Sequence, residues 1–112
     1  MPHDRMRATR RTWTFIHKYV FPGGSLPSPE VINRIVARKT DLTVRDDLSF
    51  GRHYAATLAI WRERFEARAD EVAELGFDAT FRRMWRFYLA WSEAGFRSGY
   101  LDVHQMLMEK SR

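Results

Sequence analysis

The sequence contains no cysteine, which excludes several kinds of site at once. Without thiols the chain has no disulfide framework, no thiolate metal site and no cysteine nucleophile, which suits a cytoplasmic protein. Four histidines are present, but they fall on separate predicted elements and no His-x-x-x-His pair occurs. Because metal ligands need close, matching spacings, we predict no metal site.

The common nucleotide-binding loops are also missing. Neither Gly-x-Gly-x-x-Gly nor Gly-Lys-Ser/Thr occurs, so the motifs predict no cofactor-binding residue. No apolar run is long enough to cross a bilayer, and the first residues lack a secretory signal pattern. A length of 112 residues allows at most one domain, while contents of 45% hydrophobic and 14% aromatic residues predict that it folds.

Acidic residues are scarce near the start of the chain. Only Asp4 faces five cations there, although the two signs nearly balance elsewhere; the cations are Arg5, Arg7, Arg10, Arg11 and Lys18. Such a cluster attracts nucleic acid or an anionic membrane surface. A solvated basic surface is the simpler interpretation. We predict no nucleic-acid partner and keep an anionic membrane surface as a candidate partner.

Apolar spacing and capping residues predict that most of the chain is helical. A short amphipathic helix is expected within residues 5–20, and Ser28 is a good N-cap for a helix that reaches about Lys39. A longer apolar stripe predicts one helix over residues 51–75, ended by Gly76.

The last helix is expected to begin after Asp78 and to end where Gly95 and Gly99 break its pattern. Because a short turn joins it to the preceding helix, the two should pack antiparallel. Alternating residues predict strands at about 41–48 and 100–108, the second with both faces covered. Two such strands are not a stable sheet alone, so we predict the edge of a larger sheet. The fold class is α/β, mostly helical with two sheet-edge strands.

Tyr54 is the first candidate for chemistry. It begins the stripe of the long helix after a glycine turn, so its hydroxyl can face a cavity at the edge of the core. From periodicity alone, a core tyrosine is the better interpretation. The aromatic face of the last helix likewise indicates packing first and the wall of a lipid channel second; it comprises Phe81, Trp85, Tyr88 and Trp91.

One stretch is more specific than these patterns. Phe-Ile-x-x-Tyr-Val-Phe-Pro-Gly-Gly-x-Leu-Pro-Ser, over residues 15–28, resembles the signature of the cyclopropane-fatty-acyl-phospholipid synthase family. Three further blocks follow in that family's order: Gly-x-x-Tyr-x-x-Thr-Leu-x-x-Trp-x-x-Arg-Phe from Gly51, Phe-x-x-Met-Trp-x-x-Tyr-Leu from Phe81 with Phe96-Arg97, and the strand around Gln105. Several ordered blocks are more specific than one, so the resemblance covers nearly the whole chain.

The resemblance implies an S-adenosylmethionine-dependent methyltransferase that acts on the alkene of a lipid acyl chain. The alkene carbon attacks the sulfonium methyl, and the resulting cation loses a proton to close a three-membered ring. The family's base is a bound bicarbonate, and by position Tyr54 would help to hold it. We expect Phe21, Pro22, Gly23, Gly24 and Tyr88 to line the substrate pocket.

The departures from the family limit what this chain does alone. The family's glycine-rich cofactor loop and its other bicarbonate ligands belong upstream of Met1, so residues 1–112 resemble the C-terminal part of a Rossmann-like class I methyltransferase domain without its cofactor-binding half. We therefore expect no turnover by the chain alone, and a partner that is an upstream cofactor-binding chain or another copy. The expected location is cytoplasmic, peripheral at the inner membrane face. The alternative is a non-enzymatic helical module that binds a partner or a membrane.

Overall fold

The computed structural model describes residues 1–111, and these form two compact units. The first unit consists of Met1–Ser49 together with the chain from Asp102 onward. The second unit consists of Phe50–Leu101. It is therefore inserted, in sequence, between the two parts of the first.

The start of the chain holds two short helical pieces instead of the single amphipathic helix that we predicted within 5–20. Helix α1 spans His3–Thr9, and a π-helical turn spans Ile16–Val20. In this turn the Phe21 N–H donates to the carbonyl of Ile16, five residues earlier, at 2.7 Å. The stripe from which one helix was inferred is thus divided between two elements.

Helix α2, Pro29–Lys39, begins as the sequence predicted. The Ser28 hydroxyl accepts the N–H of Val31 at 3.2 Å, and Pro29 occupies the first helical position. Ser28 is fully buried, and its hydroxyl also lies 2.8 Å from Nδ1 of His3. One side chain therefore caps α2 and ties it to α1.

The two strands of the first unit pair with each other antiparallel. Strand β1 spans Leu42–Ser49 and strand β2 spans His104–Lys110, with a bulge between Val44 and Asp46. The predicted start of the second strand at residue 100 was wrong by four residues. Asp102 explains part of this difference, because its carboxylate accepts the N–H of Val103 at 2.8 Å and shapes a turn instead of an extended segment.

The second unit is a helical hairpin. Helix α3 spans Gly51–Ala67, α4 spans Ala69–Glu74 and α5 spans Ala79–Arg97. The single helix predicted over 51–75 was wrong, since Arg68 leaves the helical region with φ −112° and ψ 23°. Two other predictions are confirmed: Gly76 adopts a positive φ of 100° after α4, and Asp78 caps α5 by accepting the N–H of Phe81 at 2.8 Å.

Helices α3 and α5 are antiparallel, as predicted. Positions along α3 rise while those of their partners on α5 fall; the pairs are Tyr54 with Phe96, Arg62 with Glu93 and Glu66 with Arg86. Leu58 and Leu89, only 2% and 3% exposed, belong to the apolar core of this unit. Each such burial stabilises the fold by about 1.5–3 kcal/mol.

Gly95 lies inside α5 instead of breaking it, which corrects the sequence prediction. A Cβ atom at Gly95 would lie 2.8 Å from Cδ1 of the buried Leu101, so the missing side chain leaves room for that leucine. The backbone carbonyl of Gly95 also accepts the N–H of Leu101 at 2.9 Å. The helix ends at Arg97, and Gly99 then adopts a positive φ of 81°.

Candidate active-site residues

Tyr54 lies half-buried on α3, and aromatic rings surround its own ring. Phe96 of α5 meets it edge to face at 4.8 Å between centroids, and Trp61, two turns along α3, does the same at 5.9 Å. Such pairs fix the ring plane and leave the position of the hydroxyl well defined. Among residues 1–111, no hydrogen bond to that hydroxyl is formed.

The environment of Tyr54 also shifts the pKa of its phenol. Burial raises the pKa of the Tyr54 phenol above its ordinary value of 10.0, and the nearby Tyr88 adds to the rise. A phenol is an uncharged O–H donor at neutral pH even at its ordinary pKa, and this rise extends the uncharged range to more alkaline pH. A protonated phenol without a partner is suited to donate a hydrogen bond to a small anion.

Tyr88 is the second predicted site residue in the helical hairpin. It ends a row of aromatic rings along α5, with centroid distances of 4.5 Å for Phe77–Phe81, 6.2 Å for Phe81–Trp85 and 5.1 Å for Trp85–Tyr88. Residues at spacings of four and three lie above one another on a helix, which is why the rings stack. Tyr88 also lies near enough to Tyr54, which is on a different helix, to affect the pKa of that phenol.

The predicted pocket loop, residues 21–24, forms a tight β-turn in the first unit. The Gly24 N–H donates to the Phe21 carbonyl at 3.0 Å, and Gly23 has a φ of 76°. Pro followed by a glycine of positive φ is the signature of a type II turn. A Cβ atom at Gly24 would lie 3.1 Å from the Phe21 carbonyl oxygen, so the space beside Gly24 is filled by the loop itself.

The predicted site residues are thus divided between the two units. Tyr54 and Tyr88 come together in the second, while Phe21, Pro22, Gly23 and Gly24 share one turn in the first. A cleft of about 470 Å³ lies between the end of α2 and the start of β1. None of the predicted site residues lines it; its lining residues include Asn33, Thr40 and Asp41.

Two polar clusters were missed by the sequence analysis. In the hairpin, Glu93 lies between Arg62 at 3.3 Å and Arg97 at 2.9 Å, with only 15% of its side chain exposed. The Glu93 Oε1 atom is close enough to Arg62 for an ion pair but is not aligned for a hydrogen bond. The i, i+4 spacing to Arg97 was the available signal, whereas Arg62 is far away in sequence.

The second cluster joins the ends of β1 and β2. The imidazole of His104 lies between two carboxylates, with Nδ1 at 2.8 Å from Asp47 and Nε2 at 3.2 Å from Asp102. The Ser49 hydroxyl donates to the same Asp102 carboxylate at 2.5 Å. These bonds stabilise the strand ends, and no sequence spacing indicated them.

Metal sites and membrane-spanning helices are both absent from the described part of the chain. No group of three or more His, Asp or Glu residues within 1–111 is placed to hold a metal ion. Over the same residues, no helix combines the length and the apolar character that a membrane span requires.

Comparison with known proteins assigns the chain to a class. Residues 1–106 match the sequence profile of the family described as "Mycolic acid cyclopropane synthetase". The match covers far more than half of the chain, so the chain belongs to this family, and the resemblance noted from its motifs is confirmed.

Individual relatives make the assignment more specific. The chain is 60% identical over 105 residues to Tuberculostearic acid methyltransferase UfaA1 of Mycobacterium tuberculosis, an alignment that covers 94% of this chain and 25% of that protein. It is 32% identical over 96 residues to Cyclopropane-fatty-acyl-phospholipid synthase of Escherichia coli, covering 86% of this chain and 24% of that one. The chain therefore spans about a quarter of the length of these relatives.

The fold agrees with that assignment. The structure of the cyclopropane synthase MmaA2 from Mycobacterium tuberculosis superposes with a TM-score of 0.81 at 29% identity, covering 98% of this chain and 41% of that chain. A mostly helical chain with one antiparallel strand pair is consistent with part of an α/β methyltransferase, which confirms the predicted fold class.

Proposed function

We propose that residues 1–112 are the C-terminal part of a methyltransferase domain that transfers a methyl or methylene group from S-adenosylmethionine to an unsaturated acyl chain of a lipid. Family membership and the names of the relatives support this reaction class. The main structural support for a role of one residue comes from Tyr54. Its hydroxyl is protonated at neutral pH and has no hydrogen-bond partner within residues 1–111, and aromatic rings surround its ring.

The residues of this chain do not fit S-adenosylmethionine. A cofactor cradle of this class needs a glycine-rich loop at a helix N-terminus, and the sequence contains no Gly-x-Gly-x-x-Gly. The neighbouring glycines 23 and 24 do not replace it, because the space beside Gly24 is filled by Phe21. Cofactor binding is therefore assigned to a part of the enzyme outside these residues, and the chain alone should not turn over.

Tyr54 does fit a small anion such as bicarbonate. The phenol is protonated at neutral pH, and its raised pKa is consistent with this, so the hydroxyl donates a hydrogen bond and leaves the anion's proton-accepting oxygen free. Phe96 and Trp61 both meet the Tyr54 ring in an edge-to-face arrangement, and the faces of aromatic rings attract positive charge in a dry site. We propose that Tyr54 holds the bicarbonate that removes the proton.

The residues proposed to contact the acyl chain are Tyr88 in the second unit and, in the first unit, the turn of Phe21, Pro22, Gly23 and Gly24. Tyr88 ends the aromatic row of α5, which offers an apolar surface leading to Tyr54. The turn is rigid because Pro22 fixes one φ and Gly23 supplies the positive one. A preformed turn needs little ordering when an acyl chain packs against it.

The exposed strand pair supports the proposal of a further part that pairs with it. Leu48 and Leu107 are 56% and 63% exposed, so the cover predicted for both faces of β2 is not provided within residues 1–111. A two-stranded sheet also presents unpaired edges. We propose that an upstream cofactor-binding chain supplies the missing strands. The alternative partner is a second copy of this chain, which would cover the strands without supplying a cofactor site.

The test is methyl transfer with and without that part. The 112-residue chain, the cofactor-binding part and their mixture are each incubated with radiolabelled S-adenosylmethionine and a phospholipid that carries a monounsaturated chain. We expect label in the lipid only from the mixture or from the joined chain. Transfer by the 112-residue chain alone contradicts the division of roles. A stable monomer that leaves the cofactor-binding part inactive supports the helical module instead.

A further inference from the structure

The basic-aromatic segment, which we define as residues 4–19, carries most of the charge asymmetry of the chain. It holds five of the 19 Lys and Arg residues but only one of the 14 acidic residues. Two of its aromatic side chains are also largely exposed to solvent, Trp13 at 69% and Tyr19 at 57%. Exposed rings beside unbalanced positive charge match a partner that is both anionic and apolar.

The cations of this segment are available for such a partner. No ion pair within residues 1–111 involves any of them, and all five side chains belong to exposed residues; they are Arg5, Arg7, Arg10, Arg11 and Lys18. The helical hairpin differs, because Arg62, Arg86 and Arg97 each pair with a glutamate. Charge that is not neutralised within the fold is free to act over a Debye length.

The exposed rings are held in place by their neighbours. The Trp13 ring stacks on His17 with centroids 5.9 Å apart, and Nδ1 of His17 accepts the Thr14 N–H at 3.1 Å. The Lys18 Nζ atom lies 5.0 Å from the centroid of the Tyr19 ring. Rings that are ordered before binding lose less conformational entropy when they insert into a surface.

We propose that the basic-aromatic segment docks the enzyme on the surface of an anionic phospholipid bilayer. Trp and Tyr rings favour the headgroup depth of a bilayer, and Lys and Arg are attracted to lipid phosphates. The inference rests on the proposed function in one respect, that the substrate acyl chain lies in a membrane. Single-stranded nucleic acid also binds basic aromatic surfaces, but a lipid partner is favoured because a relative is named a fatty-acyl-phospholipid synthase.

The test is co-flotation of the protein with vesicles of phosphatidylcholine alone or of equal parts phosphatidylcholine and phosphatidylglycerol. Removing two cations, in Arg10→Gln/Arg11→Gln, should weaken binding to the anionic vesicles roughly 30-fold, at about 1 kcal/mol for each cation. The matched control is Arg52→Gln/Arg64→Gln, which removes two exposed arginines of α3 that have no ion pair within 1–111. It should bind nearly as tightly as the unchanged protein.

A second measurement reports on the rings. Vesicles that carry brominated acyl chains quench tryptophan fluorescence at the membrane, and Trp13→Phe should remove most of the quenching that involves the four tryptophans. Circular dichroism checks that each variant remains folded. Equal binding to neutral vesicles, undiminished binding of the double variant, or stronger binding to a single-stranded oligonucleotide each overturns the proposal. Because flotation requires no methyl transfer, a complete enzyme that binds vesicles but transfers no methyl group to lipid refutes only the proposed function.

Discussion

Replacing Tyr54 by phenylalanine should separate catalysis from stability. Phenylalanine keeps the ring and therefore both edge-to-face contacts, at 4.8 Å to Phe96 and 5.9 Å to Trp61. It removes only a hydroxyl that has no hydrogen-bond partner within residues 1–111. The free energy of unfolding should therefore change by less than about 0.5 kcal/mol.

The effect on turnover should be much larger. If the hydroxyl donates to a bound bicarbonate, its loss removes a hydrogen bond to a charged group, which contributes about 1.5–3 kcal/mol. At 1.36 kcal/mol for each factor of ten, the rate of methyl transfer should fall roughly 10- to 150-fold. Added bicarbonate should restore part of this rate, since the variant binds the anion more weakly.

The assay is transfer of labelled methyl to lipid by the complete enzyme, with unfolding followed in denaturant on the same samples. Tyr100→Phe is the matched control, because it removes the hydroxyl of a half-buried tyrosine from the same unit at a position outside the proposed site. A Tyr54→Phe enzyme with turnover within about two-fold of the original removes Tyr54 from the site. A loss of stability above about 1.5 kcal/mol would instead explain the lost activity by misfolding.

Three further outcomes are expected. Ser28→Ala should lower the free energy of unfolding by about 1–3 kcal/mol in denaturant, because it removes the α2 cap and leaves His3 without its partner; a loss below about 0.5 kcal/mol contradicts this. A double-mutant cycle with Arg62→Gln and Glu93→Gln should give a coupling free energy of about 1 kcal/mol, because this ion pair is less exposed than a surface pair and less buried than a core pair. A coupling of zero would show that the ion pair does not stabilise the fold. Folding raises the pKa of Tyr54 above 10.0, so the protonated phenol stabilises the folded state fully below pH 10, and this contribution is lost as the pH rises through the folded-state pKa. Tyr54→Phe should therefore reduce the loss of stability at alkaline pH. An unchanged dependence of stability on alkaline pH argues against the raised pKa.

Helix caps could be predicted from neighbouring residues in the sequence, whereas features that depend on tertiary packing could not. The caps at Ser28 and Asp78 were correct because a hydroxyl or carboxylate before an apolar stripe has few alternatives. The helix break at Arg68 was not predicted, because the residues around it favour helix and no helix-ending residue lies nearby in the sequence. Gly95 was misjudged because its reason is the side chain of Leu101, which approaches through tertiary packing.

The candidate site was likewise only partly predictable from the sequence. Periodicity placed Tyr54 at the edge of an apolar stripe, but a buried core tyrosine fitted that pattern equally well. The approach of Tyr88, the raised pKa and the unpartnered hydroxyl depend on how α3 and α5 pair. The ordered family motifs supplied the role that spacing did not, and the family match then confirmed the family assignment.

The insertion of the helical hairpin between the paired strands has a consequence for the order of folding. Strand β1 ends at Ser49, where its partner is His104, so the whole hairpin must be enclosed before this sheet closes. For an unstructured loop of that length, closure costs about 3.5 kcal/mol in chain entropy. If α3 and α5 associate first, the contact between Tyr54 and Phe96 shortens the loop that remains. Refolding should therefore show helix formation ahead of strand pairing, with the sheet the slower and more easily interrupted event.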